Sequence, residues 1–303
     1  MKRASWLLVL GLAMPAAAEV QTRIVEYRDG DTVLEGYLAW DDSFGDKRPG
    51  VLVVHEWYGL NEYAKSRARQ LAEMGYLAFA ADIYGKGRRA SNRQEAAALT
   101  GPFREDRGLM RSRARAALQV LKTQAMVAPN HVAAIGYCFG GTCVLELARS
   151  GADFQAAVSF HGGLSTPEPR DAKNIKAKVL VLHGAADPHV PMKEVAAFAE
   201  EMESADVDWQ LVMYGGAVHA FSNPDSGDDP SSGAAYDADA DRRSWEHMKL
   251  FFSETIGLPE KAGGVGHFMR EKVAEPTVEG AKAAGEAAKK AAVWTWKKVT
   301  GDE

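Results

Sequence analysis

The chain has 303 residues, 46% of them hydrophobic and 25% charged, with a formal net charge of −5. A modestly acidic chain of this kind suits a soluble protein and offers no cationic footprint for nucleic acid. No His-Glu-x-x-His or comparable ligand spacing is present, so the sequence carries no recognisable zinc motif.

In chain order, the first feature is an export signal. Lys2 and Arg3 give a basic start, residues 6–14 an apolar stretch, and Ala16-Ala17-Ala18 a small-residue cleavage site. The apolar stretch is shorter than the ~20 residues needed to cross a bilayer. A buried core helix is the plainer alternative, and the basic start and Ala-x-Ala end argue against it. Cleavage after Ala18 removes two basic residues and no acidic one, taking the formal charge from −5 to about −7. The mature protein is therefore expected in the periplasm or outside the cell.

Residues 19–260 are enough for one α/β domain. Residues 24–28 and 32–39, joined by Asp29-Gly30-Asp31, read as a hairpin. Residues 50–55 and 76–81 are continuous apolar runs, the mark of strands buried on both faces. Between them, residues 62–74 have helical spacing and stop at Gly75. Residues 90–123 are helical and polar, with a break expected around Gly101-Pro102. Further strands are read at 131–135, 155–160, 177–183 and 208–214, with helices at 142–149, 193–203 and 236–256. Strands alternating with helices imply a mostly parallel central sheet with helices on both faces.

Beyond residue 260 the composition changes. Residues 261–303 are rich in Ala, Lys, Gly and Glu and follow a Gly263-Gly264-Val265-Gly266 linker, which reads as an appended helical extension. Residues 277–300 hold five Lys against two Glu, a local +3. The plain reading is a solvated or loosely docked tail. The sharper one sets Trp294, Trp296 and the lysines against an anionic membrane surface or a partner.

The chemistry centres on Gly136-Tyr137-Cys138-Phe139-Gly140-Gly141, between a strand and a helix. Strand, Gly-x-nucleophile-x-Gly, helix is the nucleophile elbow of the α/β-hydrolase fold. The glycines answer a steric need, because the turn strains its central residue and brings two backbones close. Cysteine at the centre points to acyl transfer through a thioester. Cys143, the other cysteine, lies where a disulfide to Cys138 would be distorted, and reads as helix filler.

A thiol needs a base, and the base an orienting acid, in the order nucleophile, acid, histidine. Asp187 follows the strand at 177–183, and His219 follows the last strand, so all three residues fall after strand ends. His55, His161, His183 and His189 lack the position after the last strand, although His55 and His161 could line the site. The loop after the strand at 50–55 is placed to supply one oxyanion-hole amide, Trp57, and the residue after the nucleophile the other, Phe139. Glu56 then stands close to the thiol, able to take its proton or to hold it neutral until substrate displaces the contact. Pairing of Glu56 with a nearby arginine is the bland alternative.

Five stretches carry a resemblance: Glu56-Trp57-Tyr58-Gly59-Leu60-Asn61, Ala81-Asp82-Ile83-Tyr84-Gly85, the elbow, Asp187, and Ala217-Val218-His219-Ala220-Phe221. In order across residues 20–256, they resemble the dienelactone hydrolase family. The resemblance implies a compact α/β-hydrolase without a large lid, with Cys138, Asp187 and His219 as triad and Glu56 governing activation of the cysteine. It implies a small-molecule ester or lactone substrate and no metal or organic cofactor. Candidate pocket residues are Tyr58, Tyr84, His161, Phe221 and Asn223. Members acting in chlorocatechol degradation hold the substrate carboxylate with an arginine four residues after the catalytic histidine. Here that position is Asn223, which cannot form a bidentate ion pair. Hydrolysis of an activated ester or lactone is thus implied more firmly than hydrolysis of dienelactone itself. A broad exported carboxylesterase or thioesterase, a non-catalytic binding protein of the same fold, and a thiol redox protein using both cysteines remain as alternatives.

Overall fold

The structure, a computed structural model, describes residues 19–45 and 47–261. The expected signal segment and the extension beyond Lys261 lie outside the described residues. Eight strands form one sheet: β1 (Val20–Asp29), β2 (Thr32–Asp41), β3 (Arg48–Val54), β4 (Leu77–Ala81), β5 (Val127–Tyr137), β6 (Ala156–Phe160), β7 (Lys178–Gly184) and β8 (Trp209–Tyr214). Their order is β1-β2-β4-β3-β5-β6-β7-β8. The β1–β2 and β2–β4 pairs are antiparallel, and every pair from β4 to β8 is parallel. This is the α/β-hydrolase fold with an antiparallel hairpin on one edge.

Six α-helices connect the strands: α1 (Glu62–Glu73), α2 (Arg93–Glu105), α3 (Arg107–Lys122), α4 (Phe139–Arg149), α5 (Met192–Ser204) and α6 (Ala238–Thr255). Strand periodicity sorts the core into two layers. Leu52, Val54, Leu77 and Phe79 face one layer with Met110 and Leu118 of α3, Val144 and Leu147 of α4, and Phe198 of α5. Val51, Val53, Ala78 and Ala80 face the other with Ala68 and Leu71 of α1 and Met248 and Phe252 of α6. β3 and β4 are buried at every residue, which is why they read as unbroken apolar runs.

The break expected at Gly101-Pro102 falls elsewhere. Pro102 lies inside α2, and the chain leaves the helix at Asp106 (φ −120°, ψ 95°). Asp106 accepts a hydrogen bond from Leu109 N at 3.0 Å and so caps α3. Capping chemistry, not the missing proline N–H, sets the boundary. Short 3₁₀ turns at Pro169–Asn174, Pro224–Ser226 and Pro230–Ser232 carry no periodicity and escape a pattern reading.

Helix α4 is buried at all eleven positions, including both of its charged residues. Arg149 is fully buried, with Glu201 at 2.7 Å, Glu146 at 3.1 Å and the Leu164 carbonyl at 2.8 Å as acceptors. Such a charge survives burial only because its donors are satisfied.

Candidate active site

The elbow forms where β5 ends at Tyr137 and α4 begins at Phe139. Cys138 between them has φ 52°, in the left-handed region that a residue with a side chain adopts only under strain. Its neighbours explain how the turn closes. A Cβ on Gly136 would stand 2.0 Å from the Gly140 carbonyl oxygen, and one on Gly140 would stand 2.2 Å from that of Val54. The Cys138 N–H is held from behind by the Phe160 carbonyl at 3.0 Å and by Nδ1 of His161 at 3.1 Å. Cys138 also occupies the N-cap of α4, where the helix dipole favours negative charge.

The structure brings Cys138, His219 and Asp187 together. His219 Nε2 lies 3.0 Å from Cys138 Sγ, and its Nδ1 lies 2.8 Å from Asp187 Oδ2. The second Asp187 oxygen accepts from His189 N at 2.8 Å, which fixes the carboxylate plane. Burial alone would raise the Asp187 carboxyl, but its hydrogen bond to His219 holds it below its ordinary value. An ionised Asp187 accepts only, so Nδ1 of His219 carries a proton. Burial also opposes charge on His219; the facing Cys138 sulfur and Asp187 outweigh it and raise the imidazole well above its ordinary value. The arrangement can hold a thiolate–imidazolium pair.

The Trp57 and Phe139 amides have no hydrogen-bond acceptor among the described residues. The contact of Gly140 with the Val54 and His55 carbonyls sets the end of β3 against the start of α4, so the two amides belong to adjoining backbones. Amides without an acceptor are the kind of donor an oxyanion hole requires.

Glu56 departs from the expected contact with the thiol. Its Oε2 accepts from Asn223 Nδ2 at 2.6 Å, while Cys138 is paired with His219. The physical reason is a fixed donor: Asn223 is pinned in turn, its Oδ1 accepting from Asp225 N at 2.9 Å. Glu56 is 4% exposed. Burial pushes its carboxyl up to about 7 against the opposing pull of the Asn223 amide. Among the described residues no arginine pairs with Glu56: Arg67 is engaged by Asp241 at 2.5 Å and the Ser222 carbonyl at 2.7 Å.

Of the candidate pocket residues, Tyr58 is partly exposed, beside Trp57 with ring centroids 5.3 Å apart. Tyr84, His161 and Phe221 are buried and back the site instead of lining it. The Tyr84 hydroxyl donates to the Trp57 carbonyl at 3.0 Å. His161 accepts the Cys138 N–H and therefore donates from Nε2, 2.7 Å from Ser222 Oγ. Ser222 in turn meets the Tyr63 hydroxyl at 2.7 Å. Phe221 packs edge-on against His161 with centroids 5.0 Å apart. Cys143 is free and fully buried, and burial raises its thiol well above its ordinary value. Among the described residues, no group of three or more His, Cys, Asp or Glu is placed to hold a metal.

The sequence profile of the dienelactone hydrolase family matches residues 34–256. The chain belongs to the dienelactone hydrolase family. It is accordingly a hydrolase acting on ester bonds. Two solved structures of dienelactone hydrolase type are 43% identical to it. One, named m3DLH, superposes with a TM-score of 0.76 over 78% of this chain and 99% of its own. The other is a dienelactone hydrolase-like promiscuous phosphotriesterase from metagenomic libraries, with a TM-score of 0.75 over 80% of this chain and 100% of its own. An Aquifex aeolicus (strain VF5) relative, named as a carboxymethylenebutenolidase, is 30% identical over 76% of this chain and 97% of its own.

Within this dienelactone hydrolase site, sequence reasoning missed the supporting shell of Tyr63, Ser222 and Arg67. It also left His55 as a possible wall residue, whereas His55 is buried and bonded to backbone on both sides. No local pattern marks these residues. Tyr63 and Ser222 stand 159 positions apart and meet only in the folded chain.

Proposed function

We propose that the protein hydrolyses activated carboxylic esters and lactones through a thioester on Cys138. One observation carries this reading: His219 stands 3.0 Å from the thiol with Asp187 2.8 Å behind it. The Cys138 thiolate attacks the substrate carbonyl carbon, a C–S bond forms, and the carbonyl electron pair moves to oxygen. The Trp57 and Phe139 amides stabilise that oxyanion, a donor typically worth ~3–4 kcal/mol. Collapse breaks the C–O bond, and the His219 imidazolium gives its proton to the leaving oxygen. His219 then takes a proton from water, the hydroxide attacks the thioester, and the C–S bond breaks to return the thiolate and release the acid. Glu56, held by Asn223, leaves the thiol to His219. Good leaving groups, enol lactones and aryl esters, suit a thiolate that itself leaves easily.

The name carboxymethylenebutenolidase among the relatives supports lactone cleavage, and Asn223 favours substrates whose recognition does not depend on an ion-paired carboxylate. The test is steady-state turnover of p-nitrophenyl acetate and of a dienelactone by wild type beside Cys138→Ala. Cys138-dependent turnover of both supports the lactonase form. Ester turnover alone supports a general esterase, and turnover of neither removes the proposal. A second reading, phosphotriester hydrolysis at the same thiol, is favoured by the 43% identity to the metagenomic phosphotriesterase; p-nitrophenyl diethyl phosphate tests it. We further propose export directed by residues 1–18. Intact mass of protein from the periplasm or medium should begin at Glu19, and a mature mass that retains Met1 would remove this.

A further inference from the structure

His55 is fully buried at the end of β3, with the Tyr84 ring edge-on at 4.8 Å and the Phe139 ring stacked at 6.1 Å. Its two nitrogens face backbone groups of opposite kind. Nε2 receives the Ile83 N–H at 3.2 Å, and Nδ1 lies 2.5 Å from the Glu56 carbonyl oxygen. An N–H can only donate and a carbonyl can only accept. The ring is therefore neutral with its proton on Nδ1, and an imidazolium would set two donors against each other at Ile83. Burial agrees, lowering the imidazole to about 4.

The Glu56 carbonyl and the Trp57 N–H are the two ends of one planar peptide group, so fixing the first direction fixes the second. The Glu56 oxygen also receives Gly59 N at 3.1 Å, and the next carbonyl, that of Trp57, receives the Tyr84 hydroxyl at 3.0 Å. The Glu56 and Trp57 carbonyls are thus tied down by buried side chains from the loops after β3 and β4, while the Trp57 N–H has no acceptor among the described residues. We propose that His55 is a positioning residue of the oxyanion hole, aiming the Trp57 N–H at the reacting carbonyl by gripping the far end of the same peptide. The proposal rests on the reading of Cys138 as nucleophile. A hydrogen bond at the carbonyl also polarises the peptide and makes its N–H a stronger donor.

Three measurements test it. Long-range ¹⁵N–¹H correlation of wild type should show His55 as the neutral Nδ1–H tautomer from pH 5 to 8; the Nε2–H tautomer would overturn the proposal. His55→Phe keeps the aromatic packing and removes the donor. Its kcat on p-nitrophenyl acetate should fall roughly 10- to 100-fold with KM nearly unchanged, less than the 10²–10³ lost with an entire oxyanion donor. Reaction of Cys138 with 4,4′-dithiodipyridine uses no oxyanion hole and should keep its wild-type rate. His55→Gln, whose amide can both donate to Glu56 and accept from Ile83, should recover turnover to within a few-fold. Turnover by His55→Phe within twofold of wild type overturns the assignment, as does an equal fall in disulfide exchange or a Gln variant no better than Phe. A wild type that turns over no ester overturns the functional reading alone, and the tautomer still decides the role of His55.

Discussion

The two ends of helix α4 are chemically opposite. At the C-terminal end, Arg149 is matched donor for acceptor by Glu201, Glu146 and the Leu164 carbonyl, with the positive charge at the favourable end of the helix dipole. At the N-terminal end, Cys138 is strained, two amides beside it lack acceptors among the described residues, and Glu56 has a carboxyl raised to about 7. One end spends its polar groups on itself, and the other keeps them available. The difference teaches how one rigid element anchors a site: complete pairing at one end holds the incomplete pairing of the other in place.

The comparison can be broken at either end. Cys138→Ala should lower ester turnover by at least about 10⁴-fold, as for loss of a nucleophile elsewhere. Its melting temperature should stay within a few degrees of wild type, because the elbow strain is not worsened. Appreciable residual turnover would remove Cys138 as nucleophile. At the other end, Arg149→Met leaves the buried Glu201 without its cation and Glu146 with Arg111 alone. That should destabilise by about 3–5 kcal/mol in urea titration, while turnover per folded molecule stays near wild type. A loss below about 1 kcal/mol would mean that the charge network does not anchor the helix.

A third variant sharpens the comparison through pH. The folded Glu56 carboxyl is raised to about 7 from an ordinary 4.5, so the folded chain binds more protons than the unfolded one between those values. Stability from this group is complete below about pH 4.5 and is lost as pH rises through about 7, an effect on the order of 3 kcal/mol. Glu56→Gln should remove that slope, gaining stability over wild type at pH 8.5 and little at pH 4.5. Parallel curves for the two proteins would show that Glu56 is ionised without penalty. The smallest effect should come from Cys143→Ala, with turnover within twofold and a cost of about 1 kcal/mol for the buried sulfur. A large loss of turnover would revive a two-cysteine chemistry.

The elbow was legible because its glycines interrupt an apolar run at the point where strand gives way to helix. The parallel strands were legible because burial on both faces leaves no polar alternation to confuse them. Asp187 and His219 followed from chain order after strand ends. Glu56–Asn223, His55–Ile83 and His161–Ser222 were not readable, because they link residues 167, 28 and 61 positions apart through side-chain direction. The α2 boundary misled for a local reason: the helix carries Pro102 inside it, and a capping aspartate four residues on decided where it ends. The burial of Tyr84, His161 and Phe221 was not readable, because proximity along the chain to catalytic positions does not say which side of the backbone a ring occupies.

The third position after the elbow strand has one more consequence. With Val54 O only 2.2 Å from where a methyl group would sit, Gly140 acts as a spacer of zero thickness between helix and sheet. A single added carbon would have to push the start of α4 away from the end of β3. In the proposed mechanism the aperture that accepts a developing negative charge is therefore set by a missing atom, and drift in sequence at this position is closed off whatever the substrate becomes.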